Sequence, residues 1–234
     1  MRVGVIQSNY LPWRGYFDFI DAVDLFVVHD DLQFTKGDWR NRNRIKTLQG
    51  LQWMTVPVHY RHTAQLIGDT EIDHSRNWQR EHLNLIETHL GRAPHVADVR
   101  RLLEPEFDAG HRTISSLNVA LARAINAYLS IRTPMRMSSE FRLTSSKTER
   151  LIELLTAAGA TTYLSGPTAR AYLEEERFRE AGIHLEYKQY DYPDYPQLWG
   201  PFDGAVSIID TIANCGPATR DVLPSRAPAT LSAA

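Results

Sequence analysis

Short apolar runs alternate along this chain with amphipathic stretches. Residues 2–6 form a β-branched apolar run, apolar residues then recur at near-helical spacing, and a second apolar run follows at 25–30. The order returns later as a run at 161–164, a helical stretch at 172–181 and a run at 183–187. Strands joined by helices in this way are the building unit of parallel sheets. The pattern therefore predicts an α/β fold with a mostly parallel, Rossmann-like sheet.

The middle of the chain follows a helical pattern. Five residues recur at helical spacing and are expected to share one face of a helix: Trp78, His82, Leu85, Ile86 and His89. Further helices are predicted at 96–103, at 114–129 and at 147–158; for the last of these, Ser145 or Ser146 is the expected N-cap and Gly159 the expected stop. We expect a helical subdomain over about 78–130 that packs on the sheet or covers one end of it.

The remaining segments complete a single α/β domain, predicted to span residues 1–223. Residues 52–58 are typical of a third strand stopped near Pro57, and a short strand is expected within 135–141. A last short helix is predicted at 205–213. The segment 224–234 is rich in small residues and proline, so we expect a flexible tail.

Charge and cysteine content limit the partners of the chain. Its 26 basic and 28 acidic residues give a net charge of −2, so no global field attracts nucleic acid or anionic lipid. The single cysteine, Cys215, excludes an internal disulfide and suits a reducing compartment. The N-terminal apolar stretch is too short for a signal peptide, and no run approaches the length of a membrane span. We therefore expect a cytoplasmic protein that does not insert into membranes.

The loop after the first predicted strand is the first candidate ligand site, because parallel α/β sheets bind ligands beyond the carboxyl ends of their strands. Its candidate binding residues are Asn9, Tyr10, Trp13 and Gly15. Gly15 would allow a close backbone approach, and the N-terminus of the following helix offers unpaired N–H groups to an anion. The alternative is that the aromatic residues belong to the core and Gly15 only forms a turn.

A pair of carboxylates, Asp30 and Asp31, ends the second predicted strand, and Gln33 follows closely. Neighbouring strand residues point to opposite faces, so at most one of the two carboxylates faces a given site. We take Asp31 as a candidate catalytic base and Gln33 as a candidate binding residue. A solvated turn or a helix cap explains the same residues without any function.

The segment 36–46 concentrates positive charge and is the best candidate phosphate site. Arginine and asparagine can hold phosphate or carboxylate groups through paired hydrogen bonds. Solvated surface is the alternative, and a few charges would give nucleic acid only weak, salt-sensitive affinity, so no DNA partner is expected. The candidate binding residues are Lys36, Trp39, Arg42, Asn43 and Arg44.

Four more residues bear on chemistry. His82 is a candidate catalytic base, since neutral imidazole accepts protons near pH 7, although a lone histidine is more often structural. No spacing of His, Cys, Asp or Glu predicts a metal site. Ser165 and Gly166 form the turn after the strand of the second unit and are added as candidate binding residues, without a G-x-S-x-G motif. Cys215 follows a predicted helix whose dipole would raise its thiol pKa, so it is a poor nucleophile.

In order along the chain, these segments resemble the WbqC-like protein family. The resemblance rests on IQSNYLPWRGYFDFI, DLFVVHDDLQFTKGDWRNRNRIK, WMTVPV, YLSGPTARAYL and SIIDTIANCGP, and it spans about residues 3–217. It implies a role in O-antigen or related surface-polysaccharide biosynthesis as a transferase of glycine or another acyl group. No catalytic residue follows from the resemblance.

Three functions stay open. The first is an acyl or aminoacyl transferase acting on a small molecule or nucleotide-sugar, with a carrier-protein thioester, an aminoacyl-tRNA or coenzyme A as donor; the cofactor is undetermined. The second is a nucleotide-binding ligase or nucleotidyltransferase, whose HxGH motif is replaced here by residues 12–16 (PWRGY). The third is a non-enzymatic nucleotide-sugar binding module. In each, we expect one cleft to gather six residues: Tyr10, Trp13, Gly15, Asp31, Arg42 and Asn43.

Overall fold

The computed structural model describes residues 1–231 and contains two sheets. The strands are β1 (Arg2–Ile6), β2 (Leu25–Val28), β3 (Arg42–Thr47), β4 (Gly50–Thr55), β5 (Met135–Met137), β6 (Thr162–Ser165), β7 (His184–Tyr187) and β8 (Thr230–Leu231). The helices are α1 (Arg14–Asp21), α2 (Trp78–Leu90), α3 (Val96–Asp108), α4 (Ile114–Tyr128), α5 (Lys147–Ala157), α6 (Glu175–Glu180), α7 (Ile208–Cys215) and α8 (Thr219–Val222).

The main sheet has the strand order β5-β2-β1-β6-β7-β8. All its neighbouring strands are parallel except β7 and β8, which are antiparallel. The chain builds outward from β1 to β2 and β5, and then crosses to β6 and β7 on the other side. This order is that of a Rossmann-like sheet, and it confirms the predicted fold class. The order reverses between β1 and β6, where such sheets leave a crevice.

Each face of the sheet has its own apolar cluster. Val3 and Val5 of β1 pack with residues of α5 and α6, while Phe26 and Val28 of β2 face the other way and pack with α1. Gly4 lies at the centre of β1, and a Cβ at this position would overlap the Phe19 ring of α1. The absence of a side chain at Gly4 therefore lets α1 pack closely on the sheet.

The predicted helical middle forms α2, α3 and α4. Their buried residues belong to the same apolar cluster as α1 and α7, so these helices add to the core on the α1 side of the sheet. In α2 the buried positions are Trp78, His82, Ile86 and Leu90. The first three belong to the predicted face, whereas the predicted Leu85 and His89 are only partly buried. Asn77 caps this helix by accepting a hydrogen bond from the Arg80 backbone N–H.

Several predicted boundaries differ in the structure. The strand predicted at 52–58 is β4, which pairs with β3 in a separate antiparallel hairpin instead of joining the main sheet. The helix predicted at 172–181 is shorter in the structure, where α6 spans Glu175–Glu180; a separate 3₁₀ turn at Pro167–Ala171 precedes it. Ser146 is the N-cap of α5, but its side chain makes no capping hydrogen bond.

The segment that follows the predicted domain is partly structured. Residues Thr230 and Leu231 of β8 pair with Tyr187 and Glu186 at the edge of the sheet. The part of the predicted tail from 232 to 234 lies outside the described residues. Within residues 1–231, no helix has the length and apolar character needed to cross a membrane.

Candidate functional site

The loop after β1 is fixed between β3 and the start of α7 by buried hydrogen bonds. The Asn43 side-chain amide donates to the backbone carbonyls of Tyr10 at 3.2 Å and Leu11 at 2.9 Å. The Ser207 hydroxyl donates to the Leu11 carbonyl at 2.7 Å, and the Ser207 backbone N–H donates to the Arg44 carbonyl at 2.8 Å. These bonds satisfy buried carbonyls and hold three distant segments of the chain together.

A cleft with a volume of about 410 Å³ lies where these segments meet. This size is in the range of small-molecule sites. Its walls come from the loop after β1, from β3 and the residues before it, and from the segment before α7. The lining residues are Asn9, Pro12, Trp13, Trp39, Asn43, Arg44, Gly204, Ala205 and Val206.

Two arginines and two tryptophans form a cluster at the rim of this cleft; we call it the Trp–Arg cluster, and its members are Trp39, Arg42, Arg44 and Trp53. The Arg42 guanidinium lies 4.1 Å from the Trp53 ring centroid, and that of Arg44 lies 5.2 Å from it. The two indole centroids are 5.4 Å apart, and both rings are about 40% exposed. Alternation along β3 places both arginines on one face, opposite Trp53 of β4.

Neither arginine of the cluster has a carboxylate partner among residues 1–231. No ion pair forms with Arg42 or Arg44, and the Nε atoms of both are buried without a hydrogen-bond acceptor. The Nε atoms are enclosed, so an anionic ligand would contact the terminal Nη atoms, which donate no hydrogen bond within residues 1–231. Guanidinium groups stacked on indole rings keep their edges free for paired hydrogen bonds with phosphate or carboxylate oxygens.

The other cations of the predicted basic segment have different roles. Arg40 donates to the Asn9 side chain and so orients one wall of the cleft. Lys46 is buried and donates to Gln197 at 2.8 Å and to the Pro201 carbonyl. Lys36 is exposed, with its Nζ atom 6.0 Å from the Tyr60 ring centroid. The local charge expected from sequence is therefore divided: Arg44 lines the cleft, Arg42 lies next to it over the Trp53 ring, and neither forms an ion pair within residues 1–231.

Tyr10 and Gly15 support the cleft without lining it. Tyr10 is fully buried, and its backbone N–H donates to the Trp39 carbonyl at 3.0 Å. The Trp13 ring lies directly over Gly15, where a Cβ would overlap it. The expected close approach to Gly15 is thus made by Trp13, which lines the cleft in its place.

The two carboxylates after β2 have separate environments. Asp30 is buried and accepts from the Ser8 backbone N–H at 2.8 Å and from the Ser115 hydroxyl. Asp31 accepts hydrogen bonds from Ser138 and Arg150. It does not line the cleft of Asn9, Trp39 and Arg44, which we call the Trp–Arg cleft. Burial acts to raise the pKa of Asp31, but the hydrogen bonds from Ser138 and Arg150 outweigh it and lower that pKa. An ionised carboxylate held in this way is a weak base.

His82 lines a second cavity, of about 430 Å³, on the Trp53 side of the Trp–Arg cluster. Its Nδ1 atom is 2.8 Å from the Tyr10 hydroxyl, and its ring packs against Trp78 and Phe107. Burial lowers the pKa of His82 to about 4, against the opposing effect of a hydrogen bond with the Thr55 backbone. The imidazole is therefore neutral at pH 7.

The buried imidazole makes stability depend on pH. Between about pH 6.5 and 4, unfolded His82 binds a proton and folded His82 does not, so stability falls as pH falls through this window. We expect the free energy of unfolding to decrease there by about 3 kcal/mol more in the wild type than in His82→Gln. Chemical denaturation at pH 7, 5.5 and 4 measures both, and parallel pH profiles would show that His82 does not contribute.

The remaining predicted binding residues lie elsewhere. Ser165 is buried, with its hydroxyl 3.3 Å from that of Tyr163, and its carbonyl accepts from the Lys188 backbone. Gly166 precedes the 3₁₀ turn after β6. Gln33 is exposed and forms an isolated bridge with Leu66. None of these three residues lines the cleft of Asn9 and Arg44.

Some cleft residues were not identified from sequence. Pro12 and the segment 204–206 line the cleft but are absent from the predicted set, as are two residues next to it, Trp53 and Ser207. β3 contains a single apolar residue, Ile45, so no alternation of polar and apolar residues marks it as a strand or indicates that Arg44 pairs with Trp53. Ser207 is also the N-cap of α7, a preferred role of serine.

Cys215 is a poor candidate nucleophile for this site. Burial raises the pKa of the Cys215 thiol, which disfavours a thiolate nucleophile. In the part of the chain that the structure describes, no three His, Cys, Asp or Glu side chains are arranged to hold a metal ion.

The fold and the cleft define a Rossmann-like α/β protein with a cleft next to its first strand, lined by Trp13, Trp39 and Arg44. The model of the WbqC-like protein family matches residues 7–222, and the chain belongs to this family. An uncharacterized protein of Mycobacterium tuberculosis is 47% identical over 225 residues, which cover 95% of this chain and 97% of that protein. No solved structure matches the chain.

Proposed function

We propose that the protein is an acyl or aminoacyl transferase, acting with glycine or a similar group in O-antigen or related surface-polysaccharide biosynthesis. The observation that carries the proposal is the pair of unpartnered arginines, Arg42 and Arg44, stacked on Trp53 at the rim of the cleft. Activated acyl donors and nucleotide-sugars both carry phosphate. Membership of the WbqC-like family supports a role in surface-polysaccharide biosynthesis, since that is the role the resemblance implies.

The chemistry of the cleft suits a ligand with a phosphate and a flat or sugar ring. Arg42 and Arg44 supply charge-assisted hydrogen bonds to the phosphate, while Trp13 and Trp39 offer ring faces for a base or a sugar. Asn9, fixed by Arg40, adds a polar group for orientation. A nearly neutral chain gives no long-range attraction, so affinity for an anion depends on these short-range contacts.

Transfer also needs a group that removes a proton from the acceptor amine or hydroxyl. Of the two predicted bases, His82 is the one next to the Trp–Arg cluster, because it shares its cavity with Trp53. Asp31 is engaged by Arg150 and Ser138 away from the cleft. In the proposal, donor and acceptor occupy the two cavities on either side of the indole pair. The neutral His82 imidazole is the base on the acceptor side, and it is a weak one because burial lowers its pKa to about 4.

A nucleotide-binding enzyme is the second candidate function, and the strand order of the main sheet favours it. Sheets of this order commonly bind nucleotides where the order reverses. The segment 12–16 lacks the histidines that stabilise the transferring phosphate in nucleotidyltransferases, which argues against adenylyl transfer.

Substitution of the cluster arginines tests the proposed site. We expect Arg42→Ala and Arg44→Ala each to weaken binding of coenzyme A or a UDP-sugar by about 1 to 3 kcal/mol, because each change removes hydrogen bonds to a charged group. Isothermal titration gives the affinities, and thermal melts should stay close to wild type.

Arg101→Ala is the matched control, because it removes an exposed arginine of a surface ion pair with Asp98 on α3. Its affinity should equal that of the wild type. Unchanged affinity in both cluster variants would show that Arg42 and Arg44 are solvated surface residues. A large fall in melting temperature would show that they are needed for the fold. Mass spectrometry of nucleotide-sugars incubated with glycyl donors and the protein then tests the transfer itself.

A further inference from the structure

A separate cavity, of about 460 Å³, lies at the carboxyl ends of β1 and β6, where the strand order of the sheet reverses. It borders the apolar cluster on the α5 and α6 side of the sheet, through Val5 and Tyr163. The Trp–Arg cleft borders the opposite cluster and shares no lining residue with it. Crevices at this position are the usual ligand sites of open parallel α/β sheets.

One end of this cavity is suited to an anion. The eleven-residue helix α5 begins here, and its N-cap Ser146 makes no side-chain capping bond, so the first N–H groups of the helix are left without that partner. The first residue, Lys147, lines the cavity and has a left-handed backbone with φ of 52°. A strained non-glycine residue of this kind is uncommon and occurs often at ligand sites.

A second observation, independent of the helix, also favours a ligand: a buried ring nitrogen on the cavity wall has no hydrogen-bond partner within residues 1–231. His29 lines the cavity and is 8% exposed, and its Nε2 atom has no hydrogen-bond partner. The nearest carboxylate oxygen, Oδ1 of Asp31, lies 3.4 Å from it without hydrogen-bond geometry. Burial lowers the pKa of His29, which keeps the ring neutral and able to donate or accept one hydrogen bond.

The other walls fit a flat ring and a sugar. Leu32, Leu151 and Leu173 form an apolar surface, and the Tyr172 ring stands at the mouth with 71% of its surface exposed. An exposed aromatic ring beside an apolar cavity offers a stacking face to a base. Glu174, which also lines the cavity, supplies a carboxylate acceptor of the kind that binds ribose hydroxyls.

We infer that this cavity is a second ligand site, which binds a nucleoside monophosphate or the corresponding part of a larger nucleotide. The phosphate lies at the N-terminus of α5 beside Lys147, and the base lies between Tyr172 and the leucine wall. The site does not depend on the Trp–Arg cleft, so an experiment that excludes one of the two sites leaves the other unaffected.

Binding of the four ribonucleoside monophosphates, ribose 5-phosphate and inorganic phosphate to the full-length chain tests the inference by isothermal titration. At least one monophosphate should bind at least ten times more tightly than ribose 5-phosphate, because only the nucleotide gains the stacked base. Tyr172→Ala should remove most of that difference. Lys147→Ala should weaken the nucleotide and ribose 5-phosphate by similar factors.

Arg101→Ala, which removes an exposed surface arginine, serves as the control and should leave monophosphate binding unchanged. Thermal melts show whether each variant is folded, and Tyr172→Phe, which keeps the ring, should bind like the wild type. The inference is overturned if no monophosphate binds at millimolar concentration, or if binding is lost only in the Arg42 and Arg44 variants. Binding insensitive to both Tyr172→Ala and Lys147→Ala would equally exclude this cavity.

Discussion

Replacing Asp30 by alanine is expected to reduce the free energy of unfolding by about 3 kcal/mol. The Asp30 carboxylate is 2% exposed and accepts hydrogen bonds from the Ser8 backbone N–H and the Ser115 hydroxyl. Alanine removes both bonds and leaves the Ser8 N–H buried without an acceptor, and hydrogen bonds to charged groups are among the stronger ones. Urea denaturation at pH 7 measures the loss.

Because Ser8 is next to a residue that lines the cleft, loss of its hydrogen bond to Asp30 should also disturb the cleft. The next residue, Asn9, lines the cleft, and the Arg40 side chain contacts both Asn9 and the Ser8 carbonyl. We therefore expect Asp30→Ala to weaken ligand binding at the cleft as well as stability. Asp21→Ala is the control, since Asp21 forms a surface ion pair with Arg220 and its loss should change stability by less than about 1 kcal/mol. Equal stability of the two variants would contradict the role assigned to Asp30.

The main sheet could be predicted from sequence because both of its β-loop-α-β units carry strong local signals. The apolar runs at β1, β2, β6 and β7 are short and bounded by polar residues, which is typical of buried parallel strands. The β3–β4 hairpin was missed for the opposite reason. Arg42, Arg44 and Lys46 give β3 the composition of a loop, and the strand forms because its alternate residues Asn43 and Ile45 are buried.

The contents of the cleft were predictable in part. Strand ends are close together in a parallel sheet, so the loop after β1 was a sound candidate, and Asn9, Trp13, Trp39, Asn43 and Arg44 do line one cleft. Arg42, which was also expected there, does not line this cleft and instead stacks on Trp53. The predicted meeting with Asp31 does not occur there, because Ser138 and Arg150 hold that side chain elsewhere.

These last contacts depend on residues more than 100 positions away in sequence. No local pattern around Asp31 indicates which distant donor will reach it. The same holds for the buried amide of Asn43, whose two carbonyl acceptors lie more than 30 residues earlier. Sequence patterns thus indicate which residues are suited to a site, and long-range packing decides whether they bind a ligand or support the fold.

The packing around His82 gives the largest expected effect on stability. Trp78 is 2% exposed and packs against Phe107 and His82 at ring-centroid distances of 5.1 and 5.4 Å. Trp78→Ala should cost about 3 to 5 kcal/mol, the range for removing a large buried aromatic side chain. Urea denaturation measures this loss. The cavity that remains would also admit water to His82, so the pKa of His82 should rise from about 4 towards 6.5, as followed by NMR titration.

Trp78→Phe distinguishes the contribution of the aromatic ring to stability from that of the indole N–H group. The Trp78 Nε1 atom is buried and has no acceptor in the described part of the chain, so losing this donor removes no hydrogen bond. Phenylalanine keeps an aromatic side chain against Phe107 and leaves a smaller cavity. Its cost should stay near 1 to 2 kcal/mol, roughly the value for a partial loss of packing, and the pKa of His82 should remain low. If both variants lost the same stability and left His82 unchanged, Trp78 would not be the side chain that shields this histidine.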